Sequence, residues 1–204
     1  MTRALMLDVD GVIVRPKNGR HWSANLERDL GVSAVALQNY FFRPHWERTV
    51  TGRSDLHECL GEVLRSIAPV ITPELLMAYW FQNDAELDEL FLRDLAMVRS
   101  SALQVYLATN QEHTRVRYLM DVVGLRSHVD GCYYSAAMGH MKPHRAFFEA
   151  IQSHVGLPPA DLLLVDDAAE NVAAAIAAGW SAERWTPAKA LADIVASYSS
   201  SAFS

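Results

Sequence analysis

Leu5-Met6-Leu7-Asp8-Val9-Asp10-Gly11-Val12 is the stretch on which the reading of this chain turns. Its apolar start has the character of a buried strand, and it ends on two aspartates spaced i, i+2 with a glycine directly after. Side chains two apart in a strand project to the same side. At the strand's end Asp8 and Asp10 therefore converge on one point in space. Two such carboxylates repel unless a cation, a shared proton or a division of chemical roles relieves them. The segment reads as a strand that delivers a site.

Four more short apolar runs follow the same pattern: Leu103–Leu107, Val129–Tyr134, Leu162–Val165 and Trp180–Trp185. Between them Glu112–Val123, Pro143–Val155 and Ala168–Ala178 are helical in period or composition, and Gly124, Gly156 and Gly179 stand where those helices should stop. Strands alternating with helices predict an α/β fold, a Rossmann-like parallel sheet covered on both faces. From Arg15 to Arg99 the alternation lapses and no strand is expected. Helices are predicted there at Ala24–Leu30, Ser33–Phe42, Asp55–Ile67 and Pro73–Phe81, with Ser, Asp or Thr-Pro near their starts. An insertion placed directly after the first strand sits above the C-terminal edge of the sheet, where open α/β sheets bind ligands. The expected division is a core of residues 1–14 and 95–204 and a helical cap of 15–94. The serine-rich tail Ser197–Ser204 is expected to fray.

Composition narrows the function. With 204 residues, 50% of them hydrophobic, the chain can build one full core with a modest insertion. A net charge of -6 leaves no basic stripe to neutralise phosphates, so nucleic acid is not an expected partner. Cys59 and Cys132 are too few for a disulfide framework and read as reduced thiols of a cytoplasmic protein. No signal peptide and no apolar stretch of membrane-spanning length is visible. The eight histidines include no helical His-x-x-x-His pair, which argues against zinc, and Walker or dinucleotide-type glycine loops are absent.

Each strand exit carries useful chemistry. The first supplies Asp8 and Asp10, the second Thr109 and Asn110, and the fourth Asp166 and Asp167 with Asn171 one helical turn on. After the third comes Ser135 to Pro143, with Lys142 just before a helix start. Parallel strands present these ends on one edge. Hard carboxylate ligands favour Mg²⁺, and a lysine there offsets the remaining charge and offers a point cation to a phosphoryl group. Taken singly, Thr109-Asn110 is a strand-end turn, Lys142 a surface lysine and Asp166-Asp167 a helix cap. Together, in order, they are more specific.

In that order the chain resembles the haloacid dehalogenase (HAD) superfamily. The resemblance rests on Asp8-Val9-Asp10-Gly11-Val12, Leu107-Ala108-Thr109-Asn110, Ser135 through Lys142-Pro143 to Phe147, and Val165-Asp166-Asp167 through Glu170-Asn171-Val172. It covers residues 3–14 and 95–190, and the stretch between is similar to that superfamily's helical cap, Gly52-Arg53-Ser54-Asp55 resembling a recurrent cap helix start. The resemblance implies Asp8 as nucleophile, Asp10 as general acid and then base, and Thr109, neighbouring backbone amides, Asn110 and Lys142 around the phosphoryl oxygens. It also implies Mg²⁺ held by Asp8, the Asp10 carbonyl and Asp167, with Asp166 as a ligand or an acceptor behind it. The Asp-Asp form departs from the commoner Gly-Asp and leaves open which of the two binds directly.

The implied activity is phosphatase action on a small phosphomonoester. A 2-haloacid dehalogenase would lack the second aspartate, a sugar-phosphate mutase would need cap groups for a bisphosphate, and a non-catalytic binding module would have lost Asp8 or Lys142. Within the cap, the aromatics of Arg20-His21-Trp22, Phe41 to Trp46 and Tyr79-Trp80-Phe81 read mainly as cap core, while Arg43 and His45 are candidates for substrate contact. Substrate identity and oligomeric state are not written in the sequence.

Overall fold

The computed structural model describes residues 3–99 and 103–200. After β1 (Ala4–Leu7) the chain turns tightly, the Val9 carbonyl accepting from the N–H groups of Ile13 and Val14, both at 2.9 Å. It continues through β2 (Val14–Arg15), α1 (Leu26–Leu30), α2 (Ala34–Leu37), α3 (Arg43–Val50), α4 (Leu56–Ile67) and α5 (Pro73–Asn83). It returns through β3 (Glu86–Leu87) and α6 (Glu89–Arg99) to β4 (Gln104–Thr109) and α7 (His113–Arg117). β5 (Gly131–Tyr134), α8 (Ser135–Met138), α9 (Arg145–Val155), β6 (Leu162–Asp166), α10 (Ala169–Ala177), β7 (Ser181–Arg184) and α11 (Leu191–Ser200) complete it.

The main sheet runs β5-β4-β1-β6-β7 with every pairing parallel, as the α/β reading expects. β1 is central, and all four of its side chains are buried. Leu5 and Leu7 pack on one face with Phe91, Leu92 and Leu95 of α6 and Leu191 and Ile194 of α11. Ala4 and Met6 pack on the other with Phe147, Phe148 and Ile151 of α9. That two-residue alternation is why the strand reads as continuously apolar: both faces are covered. Leu7 lies opposite Leu107 of β4 and Val165 of β6, so Asp8 leaves the sheet level with Ala108 and Asp166.

The helices from Trp22 to Phe81 enclose a second apolar cluster built on Trp22, Leu26, Phe41, Leu60, Leu76 and Trp80. Asp55 caps α4, accepting from the Glu58 N–H at 3.0 Å, and Thr72 caps α5, accepting from the Leu75 N–H at 3.3 Å. Phe91 and Leu92, which the sequence reading groups with the cap, belong to the sheet-side cluster.

Three local expectations need correction. The interval from Arg15 to Arg99 does contain strands: β2 and β3 pair antiparallel, Val14 opposite Leu87 and Arg15 opposite Glu86. Two-residue strands carry no readable periodicity. The helix expected to stop at Phe42 instead passes through a π-turn, Gln38–Phe42, into α3. Pro44, which has no N–H to donate, follows directly on that wider turn. The tail does not fray from Ser197, because α11 runs to Ser200 and the Tyr198 hydroxyl donates to the Ala182 carbonyl at 3.0 Å. The rest of the expected frayed tail, 201–204, lies outside the described residues.

No described helix is long and apolar enough to cross a membrane.

Candidate active site

Where β1, β4 and β6 end, a cavity of about 500 Å³ is lined by Asp8, Asp10, Gly11, Asp84, Thr109, Asn110, Lys142, Asp167 and Asn171, among others. The strand-exit residues singled out from sequence thus meet in one place. Lys142 is its electrostatic centre. Its ammonium is 1% exposed and lies 2.9 Å from Asp8 Oδ1 and 2.5 Å from Asp166 Oδ2. Burial alone would lower the pKa of this ammonium, but Asp8 and Asp166 more than reverse that, and the lysine stays charged. Burial pushes the Asp8 carboxyl up to about 6, against the pull of Lys142 and with help from Asp166 and Asp10.

Asn110 fixes the lysine's backbone. Its amide oxygen accepts from the Lys142 N–H at 2.8 Å and its amide nitrogen donates to the Lys142 carbonyl at 2.9 Å. The side chain expected at the phosphoryl group is therefore engaged as a brace between the β4 exit and the loop before α9. Thr109, 1% exposed at the end of β4, reaches the cavity directly.

Asp166 and Asp167 separate by strand geometry, since neighbours in a strand face opposite ways. Asp166, the last residue of β6, is fully buried and saturated. Its Oδ1 accepts from the Ala168 N–H at 2.9 Å and Asn171 Nδ2 at 3.0 Å, and its Oδ2 takes Lys142. Asp167 instead lies against Gly11 and lines the cavity. Burial raises its carboxyl pKa above the usual range, with Asp166 adding to the rise. Oxygens of Asp8, Asp166 and Asp167 come within 4.8 Å of one another, a set of hard donors carrying more negative charge than one lysine offsets.

Gly11 makes this packing possible. Its φ is +79°, and a Cβ there would sit 2.3 Å from Asp167 Oδ2. Gly11→Ala is expected to displace Asp167 and to lower stability, the left-handed backbone alone costing about 1–2 kcal/mol. An unchanged melting temperature would refute this.

Asp10 is held by a different pair of side chains. Gln111 Nε2 donates to its Oδ2 at 2.6 Å, and Arg115 Nη2 lies 3.5 Å from its Oδ1. Both partners are buried and neither was anticipated from sequence. Arg43 and His45 are not among the residues lining the cavity: Arg43 is exposed, and the His45 carbonyl accepts from the Thr49 hydroxyl at 3.0 Å within α3. The helical unit touches the core elsewhere. The Ser135 hydroxyl donates to the Val50 carbonyl at 2.5 Å, and a Cβ on Gly52 would meet the Ala136 carbonyl oxygen at 2.4 Å.

A family profile described as haloacid dehalogenase-like hydrolase matches residues 2–179. The chain belongs to the haloacid dehalogenase-like hydrolases. No curated protein shows a significant match. Among solved structures, a HAD family enzyme from Bacteroides thetaiotaomicron, in complex with magnesium and inorganic phosphate, is similar over 95% of this chain and 99% of its own, with TM-score 0.78 and 16% identity. A predicted HAD-like family hydrolase from Porphyromonas gingivalis is similar over 98% of both chains (TM-score 0.77, 21% identity). L-2-haloacid dehalogenase from Xanthobacter autotrophicus, with chloropropionic acid covalently bound, covers 97% of this chain and 83% of its own (TM-score 0.64, 20% identity). At these identities the likeness establishes a common HAD fold.

Proposed function

We propose that this HAD hydrolase is a Mg²⁺-dependent phosphatase that cleaves a small phosphomonoester through an aspartyl-phosphate on Asp8, with the Trp22–Phe81 helical unit as its cap. The observation that carries the reading is Asp10, a second carboxylate on the same cavity, oriented by Gln111. A halide leaves without being protonated, whereas an alkoxide needs a proton, so Asp10 favours phosphate-ester cleavage over dehalogenation. The magnesium and phosphate in the Bacteroides relative are consistent with this.

The donor set fits Mg²⁺: Asp8, Asp167 and the Asp10 carbonyl would hold it, while Asp166, its oxygens already engaged, would stand behind. Bound there, the ion would supply charge neutralisation for the phosphoryl oxygens. Asp8 attacks phosphorus in line, forming a carboxylate–phosphorus bond as the ester P–O bond breaks, and Asp10 gives its proton to the departing oxygen. Asp10 then takes a proton from the water that attacks the aspartyl-phosphate, releasing phosphate and restoring both carboxyls. Lys142 and the Thr109 hydroxyl meet the charge on the equatorial oxygens. By closing over the cavity, the helical unit would exclude water until substrate is seated.

Phosphate release across a panel of sugar phosphates, phosphorylated acids and nucleotides, with Mg²⁺ and with chelator, tests the reading. Metal-dependent release is expected on one class. No release on any, with Mg²⁺ still binding, would overturn it.

Two further results are expected. Asp167→Ala should weaken Mg²⁺ binding by about tenfold or more, the scale of losing one ligand's support, and more than Asp166→Asn does; the opposite order would exchange their roles. A carboxyl raised in the fold binds protons more tightly folded than unfolded. For Asp8 the metal-free protein therefore loses stability as pH rises from 3.8 to about 6. Mg²⁺ must displace that proton, so its affinity should fall as pH drops below about 6. Calorimetric titrations on either side of that pH check the sign.

A further inference from the structure

Arg115 makes contacts that a surface helix residue does not. It sits in the first turn of α7, is 2% exposed, and receives its helix start from Glu112, whose carboxylate accepts the backbone N–H groups of Thr114 and Arg115. Its guanidinium faces three things. Nη2 donates to the main-chain carbonyl of Asp84 and lies 3.7 Å from the Asp84 carboxylate. The same nitrogen is 3.5 Å from Asp10 Oδ1. Cζ lies 5.2 Å from the centroid of the Phe81 ring. Nη1 is buried with no hydrogen-bond partner, so the fork keeps donor capacity beside Asp10 and Asp84.

Phe81 lies in the last turn of α5 and Asp84 is the residue after that helix, where the chain leaves the helical unit for the sheet. Trp80 Nε1 ties the Asp84 carboxylate back to that unit at 3.2 Å. Asp84 also lines the cavity that Asp8 and Asp10 line. One buried cation thus joins the exit of the helical unit to one oxygen of Asp10, while Gln111 holds the other oxygen at 2.6 Å.

We propose that Arg115 is a positioning residue: gripping Asp84 and Phe81 and reaching Asp10, it aims the Asp10 carboxyl at the leaving oxygen while the helical unit sits against the core. This rests on the phosphatase reading, in which Asp10 is the proton donor. Nη2 alone meets both Asp84 and Asp10, and the planar guanidinium behind it lies against the Phe81 ring, a contact that fixes its orientation and that a freely rotating ammonium does not reproduce. The role is separate from that of Lys142, which pairs with Asp8 and Asp166.

The test is the leaving-group dependence of kcat/KM, which reports only steps up to departure of the alcohol, with Mg²⁺ present. Wild type, Arg115→Lys and Arg115→Met are compared on p-nitrophenyl phosphate, whose leaving group needs little protonation, and on alkyl phosphates. Arg115→Met is expected to lose about 10²-fold on alkyl phosphates, the range of a misaligned general acid, but under about threefold on the aryl ester. Arg115→Lys should recover part of the alkyl loss. Equal losses on both esters, or no loss on either, would overturn the assignment while leaving the phosphatase standing. Wild type that releases no phosphate from any ester would overturn the phosphatase reading and this assignment with it. Should Arg115→Met not fold, judged by circular dichroism, Arg115→Lys carries the same comparison, because it keeps the charge and loses the planar group held against Phe81.

Discussion

Asp8→Asn is expected to abolish turnover, by at least about 10⁴-fold, the scale on which enzymes lose activity when a covalent nucleophile is removed. An amide of the same shape keeps the position at the end of β1 and stays beside the Lys142 ammonium, 2.9 Å away in the wild type. It cannot attack phosphorus. The fold should survive, because the substitution also removes one of the carboxylates whose burial is unfavourable: Asp8 is 8% exposed with its pKa already pushed up to about 6. The variant is therefore expected to melt no lower than wild type in chelator, and to trap no phosphate on the protein. Residual turnover above about 1% of wild type, or phosphate still trapped on the Asp8→Asn variant after quenching, would refute the covalent role of Asp8.

Lys142→Met should damage both stability and activity. The methionine fills much of the same volume but leaves Asp166 fully buried, and Asp8 nearly so, without their shared cation. Removing one member of a buried ion pair costs about 3–5 kcal/mol. For a chain of this size that corresponds to a fall in Tm on the order of 10 °C. Without the ammonium the two carboxylates bind protons more tightly in the folded state, so the loss should shrink as pH is lowered. A melt showing the same deficit at acidic and neutral pH would contradict that. On the phosphatase reading turnover should fall as well, since Lys142 is the residue that meets charge on the transferring oxygens.

How much of this was legible in the sequence depends on what kind of signal each part leaves. β1, β4 and β6 announce themselves as apolar runs because both faces of the sheet are covered, and their exits carry the residues that meet in the cavity. The choice between Asp166 and Asp167 stayed open in the sequence because they are adjacent; strand alternation, visible only once β6 is known to end at Asp166, sends them different ways. Asn110 lines the cavity, but its engagement with the Lys142 backbone depends on two loops 32 residues apart. Gln111 and Arg115 left little trace. A polar run such as Gln111-Glu112-His113-Thr114-Arg115 at a helix start reads as a solvated first turn. Only the fold buries Gln111 and Arg115 within it, bringing Asp10 and Asp84 against Arg115. The one available hint was Glu112 in capping position, which fixes Arg115 in the first turn.

The outgoing and returning passes of the chain between sheet and helical unit are themselves zipped together. β2 and β3 pair side by side, Arg15 and Asp88 form an ion pair, the Asn18 N–H donates to Glu86 at 2.9 Å, and the Asp88 N–H donates to the Ile13 carbonyl at 2.9 Å. A single strand of chain swivels in any direction, whereas a two-stranded ribbon bends readily only across its flat side and resists twisting about its length. A paired attachment resists torsion of the helical unit about its connection more than a single strand of chain would, and Asp84, two residues before β3, is tethered by it.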